Sequence, residues 1–513
     1  MERDILQARK GKGIAAEIIP LFLVIVLLAA FGLLIFSQLD HFMWDDDESV
    51  LICTARAVQQ GHKLYDTVWF GYTPGFIYLL AGAFELLGFD IAVARLVVGI
   101  LALAALAAVA ALARTVGGHW AGAAAVALLA PIPHFVVMSS AAMIEVPAMA
   151  LVTASTLAVV AYLRREARGW LALSGVLMSG ALLLKPTVLA GALLPAVAVF
   201  LVERAWSRRW ICLALLGLCG LSLLLPGVLA SNPGGFHRQV LHTYLQGKSA
   251  VVVDYGHNLE NLAEYLLADK YGLTHIALVG LGLYGLWALW RRDRRVALLL
   301  GLWLLSVLAV LLTHAPLYRH HLVQTLFPLA VLAGVGLAAL GHEAVHHTRP
   351  GWRYVALASA LCLVLLEGGR AAWIDLFRLR EIESDHLDKA LQAVAFLQQH
   401  TAPGDYIITD AHILALRAGR PVPPELTDTS RRRIRTGQLN AQRVTEIAQR
   451  YRPAAIVFWE EKLEPTDKSE ASGAPDYLDR SFATWVTEHY TLAAQYSERH
   501  RIYVRREPPV SSP

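Results

Sequence analysis

The chain has 513 residues, of which 56% are hydrophobic and only 17% charged, with a mean hydropathy of +0.48. That is more apolar surface than a soluble domain can bury, so a bilayer has to act as part of its solvent. The formal charge of +4 is small, and the Lys and Arg residues sit in short clusters between apolar runs, where membrane topology accounts for them better than nucleic-acid binding does. Of the four cysteines, Cys212, Cys219 and Cys362 lie inside apolar runs and Cys53 stands alone, so neither a CxxC pair nor a disulfide framework is present and no zinc or redox reading is supported.

The first apolar run, about 13–37, follows Arg9, Lys10 and Lys12. It is too long for a signal h-region and ends without a small-residue cleavage site, which makes it a retained anchor. A hydrocarbon core about 30 Å thick takes roughly 20 apolar residues per helical crossing. Runs of this kind recur at 14–37, 92–113, 119–138, 146–163, 169–184, 187–203, 210–230, 273–290, 296–314, 322–341 and 352–368, predicting about 11 crossings. The connections RREARGW (164–170), ERAWSRRW (203–210), RRDRR (291–295) and GHEAVHHTRPGWR (341–353) then fall on one side with the basic N-terminus, and the positive-inside rule makes that side the cytoplasm. The segment 74–89 is barely long enough to span and carries Glu85; a crossing there would invert the charge asymmetry of every later loop, so a re-entrant or interfacial helix is expected.

These runs predict a mainly α, polytopic helix bundle over 1–369, with 38–91 as its first outside loop, and a soluble extracytoplasmic α/β domain over 370–513. The tail has a periodic helix at 386–400 and strand-like segments at 405–410, 454–459 and 501–506, and 466–475 reads as a solvated loop. The protein is expected to be a multi-pass protein of the cell membrane, with the N-terminus inside and the C-terminal domain outside.

Ionisable groups at membrane depth are costly, so those standing at helix ends on one face are candidates for function. Four clusters qualify, all on the outer side: WDDDES (44–49), Glu145 in SSAAMIEVP (139–147), Lys185 in LLLKPT (182–187), and YRHH (318–321). Each has a bland alternative. An acidic run beside a helix end is commonly a solvated boundary, Glu145 could answer a helix macrodipole, Lys185 could snorkel to headgroups, and Arg319, His320 and His321 could anchor an interface. The His pair shows no evident third metal ligand, so no metal site is assigned. Taken together, carboxylates and cations on one face suit glycosyl transfer from a lipid phosphate, with a carboxylate to deprotonate the incoming hydroxyl and fixed cations to stabilise the departing phosphate.

At these residues the sequence resembles the GT-C superfamily of membrane glycosyltransferases, in the protein-O-mannosyltransferase-like branch that includes the aminoarabinose transferases. The stretch DESVLICTARAVQQG (47–61) is similar to the family's acidic pair, Ala-Arg helix turn and glycine, and YTPGFIYLLAGAFELLGFDIAVARL (72–96) is similar to its next segment, with Thr73 where that family often has lysine. Glu145-Val146-Pro147 occupies the place of the second acidic motif, GALLLKPTVLA (180–190) resembles the helix-ending lysine segment, and YRHHLVQTLFPLAVLAGVGL (318–337) resembles the Arg-Tyr helix. The resemblance covers about 20–340. It implies Asp47 as base beside Glu48, with Asp46 as the alternative, Glu145 as a further catalytic carboxylate, and Tyr72, Lys185, Arg319 and His320 with Asp46 in substrate binding. It further implies an inverting transfer from a polyprenyl-phosphate sugar donor to a lipid, glycan or protein acceptor. A divalent cation bracketed by the acidic clusters stays open, although the lipid-phosphate members imply metal-free chemistry. A lipid-linked oligosaccharide ligase would need much the same groups; a transporter would more often show internal repeats and broken midplane helices, which the sequence does not.

Overall fold

The computed structural model of the protein describes residues 2–242, 253–268, 273–346, 384–465 and 477–506. The expected crossing at 352–368, Cys362 and the loop 466–475 lie outside the described residues. The chain divides into two units, one of Met1–Leu39, Arg95–Gly227 and Val253–Arg378, the other of Asp40–Ala94, Val228–Val252 and Leu379–Pro513.

The first unit is built of apolar helices. Glu17–Phe36, Ile91–Gly117, Glu145–Arg165, Trp206–Ala230, Arg294–Leu312 and Arg319–Ala344 are each long and apolar enough to cross a membrane among the described residues. The run expected as one crossing at 119–138 is instead two helices, His119–Leu129 and Pro133–Ser140, bent by 80° at the break. Pro131 and Pro133 remove backbone donors there, and an uninterrupted helix cannot survive both losses. The expected crossing at 187–203 likewise begins as a 3₁₀ segment, Pro186–Ala192, before the helix Leu193–Val202. Arg168–Leu184 is an apolar helix of 17 residues, and at 1.5 Å per residue it extends about 25 Å.

Small residues let these helices approach. A Cβ on Gly285 would lie 2.0 Å from the carbonyl oxygen of Leu332, and one on Gly336 would lie 2.1 Å from that of Leu281, so the helices Leu273–Arg292 and Leu326–His346 touch backbone to backbone. Gly334 brings the latter helix close to Ala121 and Ala125, where a Cβ would lie 2.5 Å from the Ala121 carbonyl oxygen. Between apolar helices in lipid, packing of this kind supplies the attraction that hydrophobicity cannot. At the end of the first helix, the buried Arg95 donates from Nη1 to the Leu39 carbonyl at 2.8 Å.

The second unit combines two helices from residues 40–94, Asp46–Gln59 and Gly75–Leu87, with the C-terminal sheet. Gly75–Leu87 has 13 residues, about 20 Å of helix, which is short of a hydrocarbon core. The sheet comprises β1 (Ile407–Thr409), β2 (Ala455–Phe458), β3 (Tyr490–Gln495) and β4 (Arg501–Arg505) in the order β1-β2-β4-β3. β1 and β2 are parallel, and β4 pairs antiparallel with both β2 and β3. The crossover between β1 and β2 contains the helix Ala441–Tyr451, whose Val444 and Ile447 are buried with Ile408, Ile456, Phe458 and Phe482 in one core.

The sequence reading attached 38–91 to the membrane part, whereas the structure groups Asp40–Ala94 with the sheet. The contacts are specific: Thr54 Oγ1 donates to Thr427 Oγ1 at 3.3 Å, Arg417 donates to the Phe42 carbonyl, and the Arg433 guanidinium stands 5.1 Å from the Trp69 ring. Arg433 is buried, and that burial lowers its pKa to about 10, against the pull of Asp428. Gly235 belongs to the same unit, because a Cβ there would lie 2.0 Å from the Tyr65 carbonyl oxygen.

Candidate active site

The residues singled out from the sequence fall in both units: Glu145, Lys185, Arg319 and His320 in the first, Asp46, Asp47, Glu48 and Tyr72 in the second.

In the first unit, Pro186 cannot continue the helix Arg168–Leu184, so Lys185 leaves it with extended backbone at φ −146°, ψ 114°. Glu145 is the first residue of the helix Glu145–Arg165. Lys185 Nζ bonds directly to Glu145 Oε1, and both side chains are 3% exposed. A buried ammonium and a buried carboxylate are each costly alone and tolerable as a pair. His320 Nε2 lies 3.8 Å from the same Glu145 oxygen. The second carboxylate oxygen, Oε2, is buried with no hydrogen-bond partner among the described residues.

The 3₁₀ turn Arg319–Thr325 carries the remaining groups. His321 is buried, its Nδ1 accepts from the Tyr318 backbone N–H at 3.3 Å, and its ring centroid is 4.3 Å from that of His320. Arg319 is exposed. Glu145, His320 and His321 each offer one ligand atom within 4.8 Å of the others, the spacing of a small metal group. Its donor set is one carboxylate and two imidazoles, but the Lys185 ammonium already holds the carboxylate, and a cation there would meet that charge at contact distance. His321 was named in the sequence only within the YRHH cluster and given no role; the tandem histidines opening an apolar run were its only signal.

In the second unit the acidic run opens the helix Asp46–Gln59. Asp45 is its N-cap, accepting from the Asp47 N–H at 3.0 Å, and Asp46, Asp47 and Glu48 fill the first turn, where negative charge is favoured. Glu48 is buried and its Oε2 accepts from the Trp44 N–H at 3.3 Å, whereas Asp46 and Asp47 are exposed. Glu48 therefore serves the helix start, and the two aspartates present carboxylates outward. Tyr72 accepts at its carbonyl from the Tyr65 hydroxyl at 2.6 Å, and the Arg432 guanidinium lies 5.8 Å from its ring. Thr73, in the place of the family's lysine, is buried.

A family model described as dolichyl-phosphate-mannose-protein mannosyltransferase matches residues 72–230. Crystal structures of ArnT from Cupriavidus metallidurans, one bound to undecaprenyl phosphate and one in the apo state, each align with a TM-score of 0.62 at 17% identity, covering 94% of this chain and 97% of theirs. At that identity the likeness is one of fold, and the family-model match is confined to residues 72–230. The archaeal oligosaccharyltransferase AglB from Archaeoglobus fulgidus, in complex with an inhibitory peptide and a dolichol-phosphate, aligns with a TM-score of 0.49 at 12% identity, over 95% of this chain and 75% of its own. No curated protein matches the chain in sequence. The segment that the family model matches includes Tyr72, Glu145 and Lys185, and leaves Asp46, Asp47, Glu48, Arg319 and His320 outside it.

Proposed function

We propose that this protein is an inverting glycosyltransferase that takes a sugar from a polyprenyl-phosphate donor on the non-cytoplasmic face of the membrane. The observation that carries the reading is the buried Lys185–Glu145 pair at the ends of two apolar helices. A lysine that merely snorkelled would put its ammonium in headgroup water, yet this one is 3% exposed. A compact ammonium at such a place suits a phosphate oxygen.

The reaction follows from the roles. The acceptor hydroxyl oxygen attacks the anomeric carbon, the bond from that carbon to the donor phosphate oxygen breaks, and the polyprenyl phosphate departs with the bonding pair. Asp47 accepts the hydroxyl proton, with Asp46 as the neighbouring alternative. Lys185, with Arg319 as a further cation and His320 as a hydrogen-bond donor, stabilises the charge that builds on the phosphate. Glu145 holds Lys185 in place, and its Oε2 remains to orient substrate hydroxyls. ArnT bound to undecaprenyl phosphate supports a lipid-phosphate donor by analogy of fold.

The test is donor binding by purified protein in lipid nanodiscs. Removing one member of a buried ion pair costs about 3–5 kcal/mol, so Lys185→Met is compared with the double change Lys185→Met/Glu145→Gln, which leaves no unpaired charge. Loss of polyprenyl-phosphate-sugar binding in both variants is expected. Unaltered donor affinity in the folded double variant would confine the pair to a structural role. Incubation of the same preparations with membrane extracts then shows which lipid, glycan or protein gains mass, and by one sugar or by a whole oligosaccharide.

A further inference from the structure

The second unit contains a cavity of about 370 Å³ at one end of its sheet. In open α/β sheets, ligands bind in the crevice beyond the carboxyl ends of the parallel strands, and this cavity lies there. Asp410 follows β1, and its carboxylate accepts from the backbone N–H groups of Trp459 at 2.8 Å and Lys462 at 3.0 Å, which pins the loop that follows β2. That loop forms one wall, residues 499–500 just before β4 form another, and Arg431 and Asp46 complete the lining.

Formal charges in the lining balance, although burial raises the pKa of the Glu460 carboxyl to about 7 and so weakens its negative charge near neutrality. Arg431, Lys462 and Arg499 stand against Asp46, Glu460 and Glu461. Lys462 Nζ bonds to Glu460, Arg499 Nη1 lies 2.6 Å from Glu461 Oε1, and Arg431 Nη2 donates to the Glu460 carbonyl at 3.2 Å. His500 adds no full charge near neutrality, because burial, with His386, Lys389 and Arg499, lowers its pKa. It stacks on Trp459 with ring centroids 4.0 Å apart at 10°. A lining without a strong excess of either charge favours neither a strongly anionic nor a strongly cationic ligand. What it offers is a dense alternation of donors and acceptors beside an indole. That pattern matches vicinal hydroxyls on a ring with an apolar C–H face.

We infer that this cavity is the acceptor subsite and that it takes a neutral, polyhydroxylated acceptor, a sugar. The inference rests on Asp47 as the proton-accepting carboxylate: Asp46 lines the cavity and Asp47 follows it on the same exposed helical turn. A sugar hydroxyl held against the loop 459–462 would be presented beside that turn.

The experiment measures binding by the full-length protein in nanodiscs, without donor, to mannobiose, maltose and N,N′-diacetylchitobiose, and to mannose 6-phosphate and a lysine-rich hexapeptide as charged controls. At least one neutral disaccharide is expected to bind more tightly than both controls. Its Kd should rise about tenfold or more in Trp459→Ala and in Arg431→Gln, the scale of one lost stacking or charge-assisted contact. Arg431→Gln keeps the test sound should Trp459→Ala fail to fold. Binding of none of the disaccharides, tighter binding of the phosphate or the peptide, or an affinity unchanged in Arg431→Gln would overturn the inference. Because no turnover is read, the binding result stands apart from the assignment of the base: retained turnover in Asp47→Asn would sink that assignment without touching the binding result.

Discussion

Asp47 and Glu48 are adjacent carboxylates with opposite fates, one exposed and one buried against the start of its own helix. With Asp47 as the proposed base, Asp47→Asn should cut turnover by roughly 100-fold or more, the scale of a lost general base, with donor binding intact. If Asp46→Asn does this instead, the base is one residue earlier. His412 contributes to the pH dependence of the second unit. Its Nε2 donates to the Leu426 carbonyl at 2.7 Å, and burial lowers its pKa below 6.5. A depressed folded-state pKa means that the unfolded chain binds the proton first, so stability is fully present above about 6.5 and falls with pH below it. Hydrogen exchange of the β1 and β2 amides between pH 7.5 and 5 should show rising exposure on acidification once corrected for intrinsic rate, and His412→Gln should flatten that trend. Glu145 and Lys185 were legible in the sequence as charges at the ends of apolar runs, but their mutual bond was not, since they are 40 residues apart. His321 was obscured because a histidine at a membrane helix end has the commoner reading of an interface anchor.

At the scale of elements, hydrophobic run length located the helices, and prolines decided where a run is broken. Pro131 and Pro133 were visible inside the run 119–138, yet run length alone outweighed them, and the 80° bend resulted. β3 escaped notice because it pairs on one side only and five of its six residues are not buried, so YTLAAQ lacks the apolar signal that marks β1, β2 and β4. The glycine contacts give a direct test. Gly336→Leu places a branched side chain where even a Cβ would lie 2.1 Å from the Leu281 carbonyl oxygen. The helices must separate, and the protein should lose several degrees of thermal stability in nanodiscs or fail to insert. Gly341→Leu is the control, for nothing lies within 4 Å of a Cβ at that position on the same helix. Equal behaviour of the two variants would show that the close approach does not matter.

For the whole molecule, the basic connections predict which segments face which compartment. Exposed positions are suitable reporters: Gln60 and Ser481 in the second unit, and Arg292 between two apolar helices. Cysteines at 60 and 481 should react with an impermeant thiol reagent in intact cells, and one at 292 only after permeabilisation. The reverse pattern would move the second unit to the cytoplasm and remove the non-cytoplasmic reaction.

The second unit is assembled from segments at both ends of the chain, and Thr54 meets Thr427 across 373 residues of sequence. At synthesis rates of about 5–20 residues per second, that partner arrives roughly 20–75 s after the first loop has emerged. Throughout that interval the loop carries Trp69 and Phe70, both buried in the finished protein, with no sheet to cover them. A ribosome that stops before the C-terminal segment therefore releases a chain whose 40–94 segment is a sticky, unfinished surface. Quality-control proteases could recognise that surface as the mark of an incomplete chain.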